Sequence, residues 1–183
     1  MLHETRRQVF HLMLGNVLAL LVLLVLREKS VYFIGTCLFI GIIIAKAMHQ
    51  KIHIPVFAWF IKHFERENSF PGRGVLHFFL GIFLASIFFD YRILFLSILV
   101  LAYGDSFSTV VGKGFGRVKI WNDKTLEGSL AAFAAGFSIC AFYLAWPVAV
   151  LVAAISALAE LLAPIDDNLV IPLLSGLVIY ILT

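Results

Sequence analysis

Apolar residues fall in seven runs along the chain, at about Val9–Leu26, Val31–Ala45, Val75–Phe89, Ile93–Val111, Leu130–Trp146, Val148–Ala163 and Leu169–Leu182. Each is long enough for a helix, and several are nearer 15 residues than the ~20 that span a ~30 Å hydrocarbon core. Flanking polar residues must complete those spans, or one run is re-entrant, so the pattern predicts six or seven crossings. Leu130 to Ala163 covers 34 residues with one charge and is too long for one crossing. Trp146 and Pro147 are the natural break, which makes this stretch a helical hairpin. The first run lacks a small-residue cleavage site and more runs follow it directly, so it is expected to stay in the mature chain.

Composition agrees with the pattern. Hydrophobic residues make up 62% of the chain, charged residues 14%, and the mean hydropathy is +1.01. Soluble domains carry roughly 25% charge. The expected fold class is therefore an all-α integral membrane protein, a single domain formed by one bundle over residues 1–183, with no internal repeat. Cys37 and Cys140 lie inside apolar runs, where small buried thiols are ordinary, and imply neither a disulfide framework nor a thiolate metal site.

Charge then gives orientation. With the N-terminus inside, eleven of the fourteen lysines and arginines fall on the cytoplasmic side, leaving Arg27, Lys29 and Arg92 outside. That asymmetry favours a cytoplasmic N-terminus and, with seven spans, an external C-terminus. Nine of the eleven acids sit on or near the same inner side. A surface rich in both signs suits a charged, water-soluble substrate there. Between the second and third runs, residues 51–66 have a short apolar core with basic, histidine-bearing ends, so this segment is expected to lie in the interface.

Chemistry-bearing residues concentrate late in the chain. Asp105 is followed by Ser108, Thr109 and Gly112 at i+3, i+4 and i+7, so one helical face carries a carboxylate, two hydroxyls and a gap. Such a stripe faces protein or water, and an acid in a span is a functional candidate, either as a Mg²⁺ anchor or paired with a nearby lysine. Gly112, Gly114 and Gly116 alternate with Lys113, Phe115 and Arg117. Read as a loop over about 112–123, they would bring backbone amides and positive charge to a polyphosphate, although the spacing is not that of a P-loop. Asn122 or Asp123 can cap the next helix and aim its free N–H groups at the loop. Lys124 follows, with Glu127 one turn on.

Glu160 sits within an apolar run and should face the bundle interior. Asp166 and Asp167 either cap the last helix or complete a metal site with Asp105. Arg7 and His11 share a face at i, i+4, with Arg6 beside them; an arginine pair there suits phosphate or serves as a topology anchor. His49 and His53 have zinc-pair spacing but no evident third ligand, and are read as interfacial side chains.

These blocks together resemble a family. Gly104 and Asp105, the segment through Gly116, Lys124 to Ser129, Glu160, and Asp166 to Gly176 look like the C-terminal catalytic part of the CTP-dependent lipid kinases, which include dolichol kinase, phytol kinase and CTP-dependent diacylglycerol kinase. Arg6, Arg7 and His11, and Phe64 to Arg66 with Gly74 to Gly81, are similar to the family's earlier motifs. The resemblance spans nearly the whole chain.

It implies transfer of the γ-phosphoryl group of CTP, or another nucleoside triphosphate, to the hydroxyl of a membrane lipid alcohol such as a polyprenol, a phytol-like alcohol or a diacylglycerol. It also implies catalytic roles for Asp105, Lys124 and Glu160. Nucleotide and phosphate contacts would come from Arg6, Arg7, Gly112, Lys113, Gly114, Gly116, Lys124, Thr125, Gly128, Ser129, Asp167 and Asn168. Asp105, Glu127 and Asp166 would hold Mg²⁺. Arg7 stands where a lysine is expected, and the chain is much shorter than eukaryotic dolichol kinases.

The expected partners are the nucleotide, the lipid alcohol and the bilayer, with no nucleic acid; the sequence leaves the oligomeric state open. Two other readings remain: a cytidylyltransferase resembling CDP-diacylglycerol synthase, whose downstream lysine–aspartate block is missing here, and a non-catalytic transporter or scaffold with charges along a pathway.

Overall fold

The computed structural model describes residues 2–52, 54–64, 70–122, 124–163 and 166–183. All seven apolar runs are helical. They form α1 (Leu2–Leu21), α2 (Ser30–His49), α4 (Arg73–Phe88), α5 (Tyr91–Phe115), α6 (Leu126–Ala141), α7 (Trp146–Leu162) and α8 (Asp167–Leu182), while α3 (Pro55–Phe64) is the short helix of the segment expected at the interface. Between α1 and α2 the helix widens into a π turn at Val22–Leu26 and tightens into a 3₁₀ turn at Arg27–Lys29, with Arg27 at φ 42°. The charged Arg27, Glu28 and Lys29 supply no apolar surface to bury, so the chain reverses there.

Among the described residues two stretches are long and apolar enough to cross a bilayer: Glu4–His49, which contains that reversal, and Tyr91–Phe115. The other apolar helices, α4, α6, α7 and α8, have 16 or 17 residues. At 1.5 Å per residue each spans about 24–26 Å, just short of a ~30 Å core.

α5 is the central post. From Ile93 to Ala102 every residue is buried, and Leu94, Ile98, Val100, Leu101 and Ala102 are fully enclosed. Ser97, the one polar residue in that stretch, donates its hydroxyl to Ile93 O at 2.9 Å and is thereby satisfied within its own helix. α1, α6 and α8 pack around it. Gly15 allows the α1 contact, since a Cβ there would lie 2.4 Å from the Ala102 Cβ.

Two features depart from the sequence expectation. Residues 112–115 are the last turn of α5 and not a loop. Residues 119–125 then form a two-stranded antiparallel hairpin, β1 (Lys119–Trp121) and β2 (Lys124–Thr125), with Lys119 opposite Thr125. Asn122 turns the hairpin at φ 43°, the left-handed region asparagine tolerates, and so does not cap a helix. Thr125 caps α6 instead, its Oγ1 accepting from Gly128 N at 3.2 Å. Asp123 lies outside the described residues.

Because successive helices reverse direction, the starts of α1, α4, α6 and α8 meet the ends of α5 and α7 at one end of the bundle. Contacts between Glu4 and Lys113, His77 and Asp166, and Lys124 and Glu160 tie that end together.

Candidate functional site

At this end a lysine from the hairpin is gripped by acids from two helices. Lys124 Nζ donates to Glu160 Oε1 of α7, and to Asp167 Oδ2 of α8 at 2.9 Å. Burial by itself would pull this amine down, but Asp167 and Glu160 outweigh it and hold the amine above its ordinary 10.5. Glu160 faces the interior as its apolar setting required, 2% exposed, and Ser108 Oγ of α5 donates to the same Oε1 at 2.7 Å. One carboxylate oxygen thus joins hairpin, α5 and α7.

Asp166 and Asp167 both cap α8 and reach outward. Asn168 N donates to Asp166 Oδ1 at 3.2 Å and to Asp167 Oδ1 at 3.1 Å, while Asp166 Oδ2 lies 2.7 Å from His77 Nδ1 on α4. The helix-capping role is therefore present, and the second oxygen of each acid is taken by His77 or Lys124.

Next to this cluster opens a cavity of about 160 Å³. Its polar wall comes from Arg7, Gln8 and His11 of α1, Asp105 of α5, and Asp166, Asp167 and Asn168 of α8; Phe60 and Phe64 of α3 and Phe78 of α4 form the apolar side. Phe10 anchors α3 there, 4.8 Å from the Phe60 ring and 5.0 Å from that of Phe64. Asp105, 9% exposed, has His11 Nε2 at 3.7 Å from its Oδ2 and receives a long 3.4 Å bond from Thr109.

Four buried polar atoms of this wall, Arg7 Nε, Gln8 Oε1, His11 Nε2 and Asn168 Oδ1, have no hydrogen-bond partner among the described residues. Each such group costs about 1–3 kcal/mol if it stays unpaired. All four belong to side chains that line this one cavity.

The structure brings Arg7, Asp105, Asp166, Asp167 and Asn168 to the cavity, with Lys124 and Glu160 directly behind Asp167. It places others elsewhere. Gly112, Gly116 and Gly128 serve close packing: a Cβ on Gly112 would lie 3.0 Å from Thr125 Oγ1, one on Gly116 2.7 Å from it, and one on Gly128 2.9 Å from Ser108 O. Lys113 donates to Glu4 Oε2 at 2.7 Å, and Glu4 also pairs with Arg7. Gly114 and Arg6 are exposed, and Ser129 Oγ is buried without a partner. Glu127 Oε2 accepts from Val118 N at 3.3 Å, so this acid serves the hairpin and is not in the cavity wall with Asp105 and Asp166.

No group of three or more His, Cys, Asp or Glu side chains among the described residues is disposed to hold a metal ion by itself. His49 packs on Phe70, ring centroids 5.2 Å apart, and His53 lies outside the described residues.

Gln8 and His77 went unremarked in the sequence, and Arg73, also in the cavity wall, counted only as a loop charge. His77 carried a usable signal, an ionisable residue inside an apolar run. Gln8 did not.

No family model and no solved structure matches the chain. Among curated proteins, an uncharacterized protein of Methanocaldococcus jannaschii is 31% identical over 189 residues, covering 97% of this chain and 93% of its own length. The chain belongs to that protein's family. The relatedness reaches further, to enzymes. CTP-dependent diacylglycerol kinase 1 of Schizosaccharomyces pombe is 30% identical over 131 residues, 60% of either chain, and that of Eremothecium gossypii is 29% identical over 150 residues, 77% of this chain and 46% of its own. The chain spans about half the length of these kinases, whose similarity supports a place within the CTP-dependent lipid kinase family.

Proposed function

We propose that this chain is a membrane-embedded lipid kinase that moves the γ-phosphoryl group of CTP to the hydroxyl of a lipid alcohol. The observation that carries the reading is the cavity: buried, unpartnered polar atoms of Arg7, Gln8, His11 and Asn168 surround a space walled by three carboxylates. An arginine and an amide suit phosphate oxygens. Three acids beside them would repel a triphosphate unless a divalent cation came with it; Asp166 and Asp167 are engaged by Asn168, His77 and Lys124, so Asp105, with only a long bond from Thr109, would be the protein's oxygen ligand to Mg²⁺, with water and phosphate completing the shell. Bound there, Mg²⁺ would neutralise charge on the phosphates.

The protein's own part is positioning and proton transfer. The lipid oxygen attacks the γ-phosphorus, the bond to the β,γ-bridging oxygen breaks, CDP leaves, and the hydroxyl proton passes to Asp105. Lys124, held by Glu160 and Asp167, fixes the start of α8 and with it Asn168; we assign it as a positioning residue that also offsets part of the acids' negative charge. Gly112, Gly116 and Gly128 let the end of α5, the hairpin and α6 approach closely.

A bilayer setting is supported by the outer surface. Val17, Leu24 and Val25 on the first stretch and Phe39 and Ile43 on α2 are about half exposed or more, an apolar coat that water would not tolerate. Modest thinning of the bilayer lets the 16- and 17-residue helices cross, which gives seven spans, a cytoplasmic N-terminus and an inner-leaflet site.

Purified protein in lipid, given CTP labelled at the α or the γ phosphate with a panel of lipid alcohols, tests the reading. Label from the γ position in lipid is expected. Label from the α position means cytidylyl transfer, and no label from either means a non-catalytic protein.

A further inference from the structure

A second cavity, of about 180 Å³, adjoins the charged one and is apolar throughout. It lies between α2, α3 and α4. Ile44, Ala45 and Met48 form its α2 side, Phe57 and Ile61 belong to α3, and Leu76 to α4. Phe60 and Val75 line both cavities, so the two share a wall made of these side chains.

The sequence explains why the space exists. Phe57, Phe60, Ile61 and Phe64 recur at i, i+3, i+4 and i+7, giving α3 an apolar stripe toward α1 and α4. On α2, Gly41 lets Leu76 come so close that a Cβ would lie 3.2 Å from Leu76 Cδ2, which draws α2 and α4 together at one point and leaves room beside it. α3 is apolar on its outer side too, where Val56 is 73% and Trp59 58% exposed, and α2 presents Phe39, Ile40 and Ile43 outward. The groove therefore sits at the hydrocarbon side of the molecule, while its neighbour holds carboxylates and an arginine.

We infer that the groove between α2, α3 and α4 seats the hydrocarbon chain of the acceptor, an alkyl or isoprenoid chain, with the hydroxyl delivered past Phe60 and Val75 to Asp105. The inference rests on the kinase reading above. The argument is adjacency: a lipid whose hydroxyl reaches the charged cavity needs an apolar route for its chain, and this groove lies against that cavity with only the Phe60 and Val75 side chains between them. It also assigns α3 a task, since this helix separates the chain from the phosphates.

The test uses the full chain in lipid nanodiscs with a long-chain primary alcohol carrying a diazirine at mid-chain. Irradiation and peptide mapping are expected to place the label on 41–48, 57–61 and 71–76, competed away by excess unmodified alcohol. Ile44→Trp and Met48→Trp, each checked for an unchanged melting curve, are expected to cut that labelling and to raise KM for the long-chain alcohol about tenfold. KM for CTP and turnover of n-butanol, too short to enter the groove, stay as in the wild type.

Label spread over all outward-facing helices without competition, or tryptophan variants that leave long-chain KM unchanged, overturns the groove. If the wild type phosphorylates no alcohol while competed label still maps to the groove, the kinase reading falls and the chain site stands. If phosphate is transferred but the label maps elsewhere, the reverse holds.

Discussion

At the scale of single residues the site is held by charges that cannot be removed one at a time. Lys124→Ala leaves the buried Glu160 and the part-exposed Asp167 facing each other without a cation, and stripping a buried acid of its donor in this way costs about 1–3 kcal/mol. Thermal unfolding should show that loss, and Lys124→Ala combined with Glu160→Gln should recover part of it. The pH dependence follows from the raised amine: its contribution is fully present below the ordinary 10.5 and fades only as pH climbs through the higher folded value. The gap in melting temperature between wild type and Lys124→Met should thus stay constant from neutral pH to about 9 and close in stronger alkali; a gap that closes nearer neutrality would contradict this. Asp105→Asn is nearly isosteric and keeps the contact with Thr109, so it should fold normally while phosphoryl transfer falls by about 10²–10⁴.

Among elements, the join between α4 and α8 sets the geometry of the cavity. A Cβ on Gly81 would fall 2.1 Å from Asn168 O and 3.0 Å from Leu169 Cα, backbone atoms that cannot step aside. Gly81→Ala should displace the start of α8, cost about 1–3 kcal/mol and raise KM for the nucleotide although residue 81 touches no substrate; unchanged nucleotide kinetics would refute it. Sequence periodicity captured the helices well because each is a long apolar run with few competing signals. It misread about 112–123, where three glycines suggested a flexible loop and the chain instead forms a helix end and most of a hairpin. The deciding contacts there, Thr125 against Gly112 and Gly116, and Ser108 O against Gly128, bring together positions many residues apart, which no local pattern encodes. Asp105, Lys124, Glu160 and the paired aspartates were legible because charge within apolar sequence is costly and therefore conspicuous. Gln8 was silent because only its burial in the assembled bundle makes it unusual.

For the whole molecule, the charge asymmetry gives a topology that can be measured. In a background with Cys37 and Cys140 replaced, Arg117→Cys should react with a membrane-impermeant thiol reagent only in inside-out vesicles, and Arg92→Cys only in right-side-out ones. The same side for both would break the seven-span arrangement. The span count was the least legible property of the fold, since four helices fall a few ångströms short of a standard core and their crossing depends on the lipid as much as on the chain. One further consequence follows from the cavity drawing Arg7 and His11 from α1 and Asp166 to Asn168 from α8. Until α8 has docked beside α1, that wall lacks Asp166, Asp167 and Asn168 and is left open. The cavity is thus a product of long-range packing and is encoded in no single helix.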